Sequence, residues 1–314
     1  MKVLISSIRH GGEGIRVFEL RAVDGAPLPS YEAGAHIDLT LGNGMVRQYS
    51  LCCDTPSPQR YRIAVKQEPM SRGGSSWLHA QAAVGTVLDI SAPRNAFALA
   101  PKARMHLLFA GGIGITPILS MAYALLRRGE PFHLFYFVRD AAAVAFGDEL
   151  AALPLSAKTS IFTGLDAGQS ADAIRDALDL GTAGAEIYTC GPAPFMSAVT
   201  QQAAARFGEH AVHQEFFVAS TPAGGDLPFV IRLLKQGKDI QVPADRNALS
   251  CLQDAGIDVD CSCEVGVCGT CRTAIVDGVP DHRDSYLSAS EKSANLFFMP
   301  CVSRAKTPGL TIDL

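Results

Sequence analysis

The sequence predicts a multidomain fold in three parts: an all-β barrel or sandwich, an α/β domain built on a parallel sheet, and a small α+β module. Three observations predict it. Up to about Pro101 the chain reads as short strands of near period-two alternation, broken every eight to twelve residues by Gly, Pro and Asp. From about Met105 to Phe217 apolar runs alternate with alanine-rich helical stretches, the texture of successive βα units. The remainder is again rich in short strands, gathered around a loop of closely spaced cysteines. The expected boundaries are 1–102, 103–219, a linker over 220–228, and 229–314.

In the first part, His36–Leu41 and Tyr61–Lys66 show the clearest alternation. In the second, Leu107–Ala110 followed by Pro117–Arg127, Phe132–Val138 by Ala142–Leu150, and Ile187–Thr189 by Pro194–Arg206 predict strand–helix pairs of a mononucleotide-binding architecture. Ser220–Pro228 is a Pro/Gly-containing stretch with little to pack, and serves as the linker. Beyond it, Phe229–Lys235, Lys238–Val242 and Arg272–Asp277 read as strands and Ala248–Ala255 as a helix. No internal repeat interrupts this order.

A chain of 314 residues is long enough for several cores. Its net charge of −4 offers no basic footprint for nucleic acid or an anionic membrane. Nine cysteines, an odd number, suit a reducing compartment better than a disulfide framework, so a cytoplasmic location is expected. The first residues lack the long apolar core and small-residue cleavage site of an export signal. Leu107–Leu126 carries no charge and has the length of a membrane span, but Gly111, Gly112, Gly114 and Pro117 break it into strand, turn and helix start.

Cys263, Cys268, Cys271 and Cys301 stand in the order C-x4-C-x2-C followed by a distant fourth, the thiolate spacing of a plant-type [2Fe–2S] site. Gly266 and Gly269 fall where a loop must wrap tightly around an inorganic core. A structural zinc site would pair C-x2-C with a second short-spaced pair, whereas here three ligands cluster and one is remote. Cys261 breaks the spacing and reads as a spare thiol. Cys52, Cys53 and Cys251 read as small buried residues, and His282 as part of a solvated polar loop.

Two further stretches point to nucleotides. Arg47-Gln48-Tyr49-Ser50 sets Arg47 and Tyr49 on one side of an extended segment, where a guanidinium can pair with a phosphate and a phenol ring can lie against a flat heterocycle. Together with Gly74, Ser75 and Ser76, which open an expected helix and offer N–H and O–H donors, this makes a flavin cradle. Gly111-Gly112-Ile113-Gly114-Ile115-Thr116-Pro117 follows a buried strand and opens a helix whose N-terminus favours a pyrophosphate. Cys190-Gly191 repeats that logic at a second strand end. Arg139-Asp140, after the second strand, sends opposite messages: an acid favours the free ribose of NADH, a cation tolerates the 2′-phosphate of NADPH.

These signals, in this order and over essentially the whole chain, resemble the phthalate dioxygenase reductase family, which includes vanillate demethylase reductases. The resemblance implies a β-barrel flavin domain, a nicotinamide nucleotide domain and a C-terminal plant-type ferredoxin domain. It implies that Arg47, Tyr49 and Ser50 bind FMN, that Gly74, Ser75 and Ser76 hold its phosphate, and that Gly111, Gly112, Gly114 and Thr116 form the nicotinamide nucleotide loop beside Cys190 and Gly191. Ser50, Thr116 and Cys190 are then the expected contacts at the reacting rings. His213-Gln214-Glu215-Phe216-Phe217 resembles the segment closing that domain, which leaves Phe217 open to two readings: a ring against the flavin, or plain core packing.

The implied activity is NADH-dependent electron transfer through FMN and a [2Fe–2S] cluster to a terminal oxygenase of Rieske type, a separate protein. An FAD-containing reductase serving a cytochrome P450 shares the same core. In another class, a redox-sensing metal-binding regulator would need neither the flavin cradle nor the nucleotide loop.

Overall fold

The computed structural model describes residues 1–54, 59–69, 71, 73–217, 226–261, 264, 266, 269–284 and 286–314. They fall into two compact units, Met1–Glu215 and Phe216–Leu314. Among the described residues no helix is long and apolar enough to cross a membrane.

The first unit opens with an antiparallel barrel of β1 (Lys2–Gly12), β2 (Ile15–Ala22), β3 (His36–Thr40), β4 (Val46–Ser50), β5 (Tyr61–Lys66) and β6 (Val87–Ile90), in the order β4-β3-β6-β1-β2-β5, with the short helix α1 (Gly74–Ala80) between β5 and β6. Alternation sends Val3, Ile5, Phe18, Leu20, Ile37, Leu39, Ile63 and Val65 into one core. Each such side chain contributes roughly 1.5–3 kcal/mol when fully buried.

Strand β5 is buried on both faces, which a barrel strand facing water would not be. Tyr61, Ile63 and Val65 point into the barrel, while Ala64 joins a second cluster made mostly by the parallel sheet and its helices. The neighbouring Arg62 is only 4% exposed; its Nη1 donates to both carboxylate oxygens of Glu149 at 2.8 and 3.0 Å, and its Nε donates to the Cys52 carbonyl at 2.9 Å. The barrel and the sheet thus share a continuous core, and Met1–Glu215 packs as one body.

That sheet is parallel, in the order β11-β10-β7-β8-β9. Its elements are β7 (Met105–Gly111), α2 (Ile115–Arg128), β8 (Phe132–Val138), α3 (Gly147–Ala151), β9 (Thr159–Thr163), α4 (Ala167–Leu178), β10 (Ala185–Cys190), α5 (Ala193–Phe207) and β11 (Val212–Glu215). Leu107–Leu126 is a buried strand, a single turn over Gly112–Gly114 and a helix start, as its glycines require.

The second βα pair departs from expectation. Ala142–Leu150 is a 3-10 turn at Ala141–Ala143, an extended Val144, a left-handed Phe146 at φ 58° and a helix of five residues. Burying Ala145 and Phe146 in the shared core opens the chain, and the Asp140 side chain, accepting from the Ala143 N–H at 3.0 Å, caps the turn instead of starting a long helix.

The second unit holds β12 (Phe229–Leu233), β13 (Lys238–Val242), α6 (Ala248–Asp254), β14 (Thr273–Asp277), β15 (Pro280–Asp281), α7 (Ala289–Ala294), β16 (Phe297–Phe298), β17 (Arg304–Ala305) and β18 (Gly309–Ile312). A mixed sheet ordered β13-β12-β18-β14-β16 packs on α6, and β15 pairs with β17. Buried Arg304 donates to the carbonyls of Leu227, Pro243 and Arg246, pinning the start of this unit to its loops. Of the expected linker 220–228, residues 220–225 lie outside the described residues; Asp226 is described, and its carboxylate accepts from both Nη atoms of Arg283 at 2.9 and 2.6 Å.

Candidate functional site

Strand β4 carries Arg47, Tyr49 and Ser50 to one end of the barrel, next to the start of α1. A Cβ on Gly74 would lie 2.8 Å from Arg47 Cγ and 2.9 Å from its Nε, so glycine is what lets the arginine stem cross the helix start. Gly73 precedes the helix at φ 99°, a left-handed turn that suits glycine. The donors expected from this turn converge on a residue to which the sequence reading gave no role: Ser71 Oγ accepts from the N–H of Gly73 at 3.1 Å and of Ser76 at 3.4 Å, and from the Ser75 hydroxyl at 3.1 Å. A hydroxyl oxygen sits where N–H and O–H groups aim, and the Arg47 side chain crosses the same turn at Gly74. This donor set fits a phosphate.

At the sheet, glycines bring two strand ends into backbone contact. A Cβ on Gly114 would meet the Cys190 carbonyl oxygen at 2.2 Å, and one on Gly191 would meet Gly111 Cα at 2.9 Å. The carboxyl ends of β7 and β10 therefore lie closer than any side chain allows. Thr116, 2% exposed, donates its hydroxyl to the Ile113 carbonyl at 3.1 Å and tightens the first turn of α2. A cavity of about 450 Å³ opens along this edge, lined by Gly111, Gly112, Ile113, Phe137, Arg139 and Phe195 among others. Ligands of such sheets bind outside the carboxyl ends of the strands.

Where barrel and sheet meet, Ser50 Oγ donates to Glu215 Oε2 at 3.4 Å. Parallel register places Glu215 beside Cys190, antiparallel register places His36 beside Ser50, and His36 Nδ1 stands 4.0 Å from Glu215 Oε1. Burial pushes the Glu215 carboxyl up to about 8 against a smaller lowering by the Ser50 hydroxyl, so it holds its proton at neutral pH. Burial, with the Glu215 charge as a lesser cause, also pushes the Cys190 thiol well up, which keeps it protonated.

Of the three residues expected at the reacting rings and the fourth candidate, Phe217, this junction joins Ser50 and Cys190, with Thr116 two residues beyond the Gly114 contact. Phe217 belongs to the second unit, where it is 39% exposed and not part of a core. Glu215 and His36 have no role in the sequence reading, because the groups that face them lie in distant parts of the chain.

In the second unit Cys271 and Cys301 are buried with their sulfurs 3.3 Å apart, too far for a disulfide and near the spacing of two thiolates on one tetrahedral metal, about 3.8 Å for metal–sulfur bonds of about 2.3 Å. Cys263 and Cys268 lie outside the described residues. Gly266 and Gly269 adopt φ of 77° and 75°, and a Cβ on Gly269 would strike the Tyr286 ring at 2.2 Å. The thiol pair and the compact glycine turns fit a thiolate-held cluster.

Cys52, Cys53 and Cys251 are buried, and burial pushes the Cys52 thiol up to about 12 despite the nearby Arg62. Cys261 is half-buried, its sulfur accepting from Gln253 Nε2 at 3.4 Å. His282 corrects the sequence reading. Pairing of β15 with β17 turns it inward, so that both ring nitrogens are buried without a hydrogen-bond partner among the described residues, Nδ1 lying 3.8 Å from Asp284.

Comparison with known proteins bears on the family and the fold. Residues 231–306 match the 2Fe-2S iron-sulfur cluster binding domain, and residues 91–211 match the N-terminal domain of dimethylamine monooxygenase subunit DmmA-like proteins. The chain is 40% identical over 318 residues to a vanillate O-demethylase oxidoreductase of Pseudomonas sp. (strain HR199 / DSM 7063), covering all of both chains. It is 38% identical to the phthalate dioxygenase reductase of Burkholderia cepacia, covering 100% of this chain and 97% of that protein. The chain belongs to the phthalate dioxygenase reductase family.

A solved phthalate dioxygenase reductase, described as a modular structure for electron transfer from pyridine nucleotides to [2Fe-2S], superposes with a TM-score of 0.79 over 100% of this chain and 98% of that one, at 38% identity. Like other members of the phthalate dioxygenase reductase family, the chain is an oxidoreductase. It joins a flavin-type barrel, a parallel-sheet nucleotide domain and a ferredoxin domain.

Proposed function

We propose that this chain is the reductase component of a multicomponent, Rieske-type oxygenase in the cytoplasm, taking electrons from NADH and delivering them through FMN and a [2Fe–2S] cluster to a separate terminal oxygenase. The observation that carries the reading is the Ser50–Glu215 contact, which within one compact unit joins the end of β4 to the end of β11, beside Cys190 at the carboxyl end of β10.

FMN bound here supplies the step between a two-electron hydride donor and a one-electron cluster. Arg47 and the first turn of α1 bind its phosphate, and Tyr49, half-buried against the barrel core, offers a ring face. Ser50 is held by Glu215, a protonated acid at neutral pH that can donate as well as accept beside the reacting atoms. Cys190 presents a thiol and no charge, which suits a neutral or cationic pyridine ring. Gly111, Gly114 and Gly191 remove the side chains that would hold the dinucleotide backbone away. Cys263, Cys268, Cys271 and Cys301 hold the cluster.

The test is an anaerobic titration of the reconstituted protein with NADH, followed by addition of candidate Rieske oxygenases. Bleaching of flavin and iron–sulfur absorption and reduction of an added oxygenase are expected. Colour indifferent to NADH would sink the proposal.

A further inference from the structure

The turn between β1 and β2 of the barrel is docked on the segment that follows β8. The Glu13 N–H donates to the Ala142 carbonyl at 2.8 Å, and a Cβ on Gly12 would lie 3.0 Å from the Val144 carbonyl oxygen. This fixes the Glu13 backbone at the wall of the sheet-edge cavity, which Glu13 and Arg139 both line. Arg139 stands directly after β8, where α/β nucleotide folds read the adenosine ribose. Its guanidinium is divided between two acids: Nε donates to Asp140 Oδ2 at 3.0 Å, and Nη2 donates to Glu13 Oε2 at 3.2 Å. Asp140 is itself committed, since its other oxygen accepts from the Ala143 N–H at 3.0 Å. Lys66, the other cation lining this cavity, is paired with Glu68 at 3.3 Å.

We propose that Glu13 is a specificity-determining residue that makes this cavity reject a dinucleotide carrying a 2′-phosphate. The proposal rests on the reading of the cavity as a pyridine-dinucleotide site. A phosphate monoester carries about −1.5 to −2 charge at neutral pH. To reach Arg139 it must displace Glu13 or lie beside that carboxylate. Free ribose hydroxyls face no such conflict, because they can donate to a carboxylate oxygen. The opposite messages of Arg139 and Asp140 in the sequence are thereby resolved by a third residue, 126 positions away from Arg139, that occupies the arginine. This is exclusion by a repulsive group rather than by a missing contact. The groups are solvent-exposed, with side-chain exposures of 82% for Arg139 and 60% for Glu13, so the discrimination is modest and screened by salt.

The test measures binding of adenosine 2′,5′-bisphosphate and of 5′-AMP by titration calorimetry to the flavin- and cluster-loaded wild type, to Glu13→Gln, and to Glu13→Gln combined with Arg139→Gln. Wild type is expected to prefer 5′-AMP. Glu13→Gln should shift the preference toward the bisphosphate by about tenfold, the scale of one charge–charge interaction at partly screened range. The shift should shrink at high salt and vanish in the double variant, and the ratio of NADPH to NADH turnover should move with it. If wild type discriminates and Glu13→Gln discriminates equally, or the double variant keeps the gain, the role of Glu13 falls while the NADH reading stands. If wild type binds neither probe, or prefers the bisphosphate, the NADH reading falls and this assignment with it.

Discussion

The Ser50 hydroxyl donates to the Glu215 carboxyl across 165 positions of sequence, tying the last residue of a barrel strand to the last residue of the parallel sheet. Neither partner is free to relax. Ser50 is 5% exposed and is fixed by its register with His36, and Glu215 is fixed by its register with Cys190. A protonatable group is thus held at the seam between the flavin-type barrel and the nucleotide sheet.

The raised Glu215 pKa has a thermodynamic consequence. With a folded value near 8 against an ordinary value of 4.5, the folded chain keeps between those limits a proton that the unfolded chain has lost. Stability therefore falls as pH rises from about 4.5 to about 8, by up to about 1.4 kcal/mol per unit from this group, and the decline ends above that window. Glu215→Gln is neutral throughout and should remove that part of the slope. Urea midpoints of wild type and variant at several pH values check it; parallel curves would show that Glu215 ionises normally.

Gly114→Ala places a methyl group 2.2 Å from the Cys190 carbonyl oxygen, where both neighbours are backbone and cannot swing away. Forcing the ends of β7 and β10 apart should destabilise the first unit by about 1–3 kcal/mol. It should also weaken pyridine-nucleotide binding by about tenfold or more, a loss that calorimetry of the variant separates from the stability effect read by its urea midpoint.

Much of this architecture was legible because local pattern and tertiary role agree. Tyr61–Lys66 and Lys238–Val242 are strands with the bounds that alternation gives, and Gly114 sits where the backbone of a second strand end leaves no room for a side chain. The reading failed where tertiary burial overrode pattern. Ala142–Leu150 looks helical, yet the shared core takes Ala145 and Phe146 by opening the chain. Strand β9 is a short, half-exposed edge with weak apolar signal, whereas the Asp166–Gln169 capping box of α4 is a start signal that the local sequence does carry. Glu215 could not be found by composition, because its partner lies in another part of the fold. The inward turn of His282 is not legible locally for the same reason: its burial comes from a strand pairing with residues more than twenty positions away.

Arg62 and Glu149 test the join between barrel and sheet. Arg62 is almost fully buried, and Glu149 also accepts from the Tyr123 hydroxyl. Glu149→Ala would leave the guanidinium without its carboxylate and should cost about 3 kcal/mol or somewhat less, since Glu149 keeps 28% exposure. Replacing both charges by apolar side chains, Arg62→Met together with Glu149→Leu, should recover most of that loss. Thermal melts of the three proteins check it, and a double variant as unstable as the single one would mean that the backbone bonds from Arg62 to the Cys52 carbonyl dominate.

The cysteines separate cluster assembly from flavin chemistry. The Cys271 and Cys301 sulfurs approach to 3.3 Å in a buried pocket, while Cys261 is half-buried and bonded to Gln253. Cys301→Ser removes one thiolate from a four-ligand site and should abolish the iron–sulfur absorption and the low-temperature paramagnetic signal. NADH-driven reduction of ferricyanide should persist, because the residues assigned to FMN and NADH lie in Met1–Glu215. Cys261→Ser should retain both iron and signal, as a thiol outside the C-x4-C-x2-C spacing must. Iron and acid-labile sulfide analysis beside flavin absorbance distinguishes the outcomes: loss of iron in Cys261→Ser would move the ligand set by one thiol, and loss of flavin reduction in Cys301→Ser would overturn the division of labour between the two units.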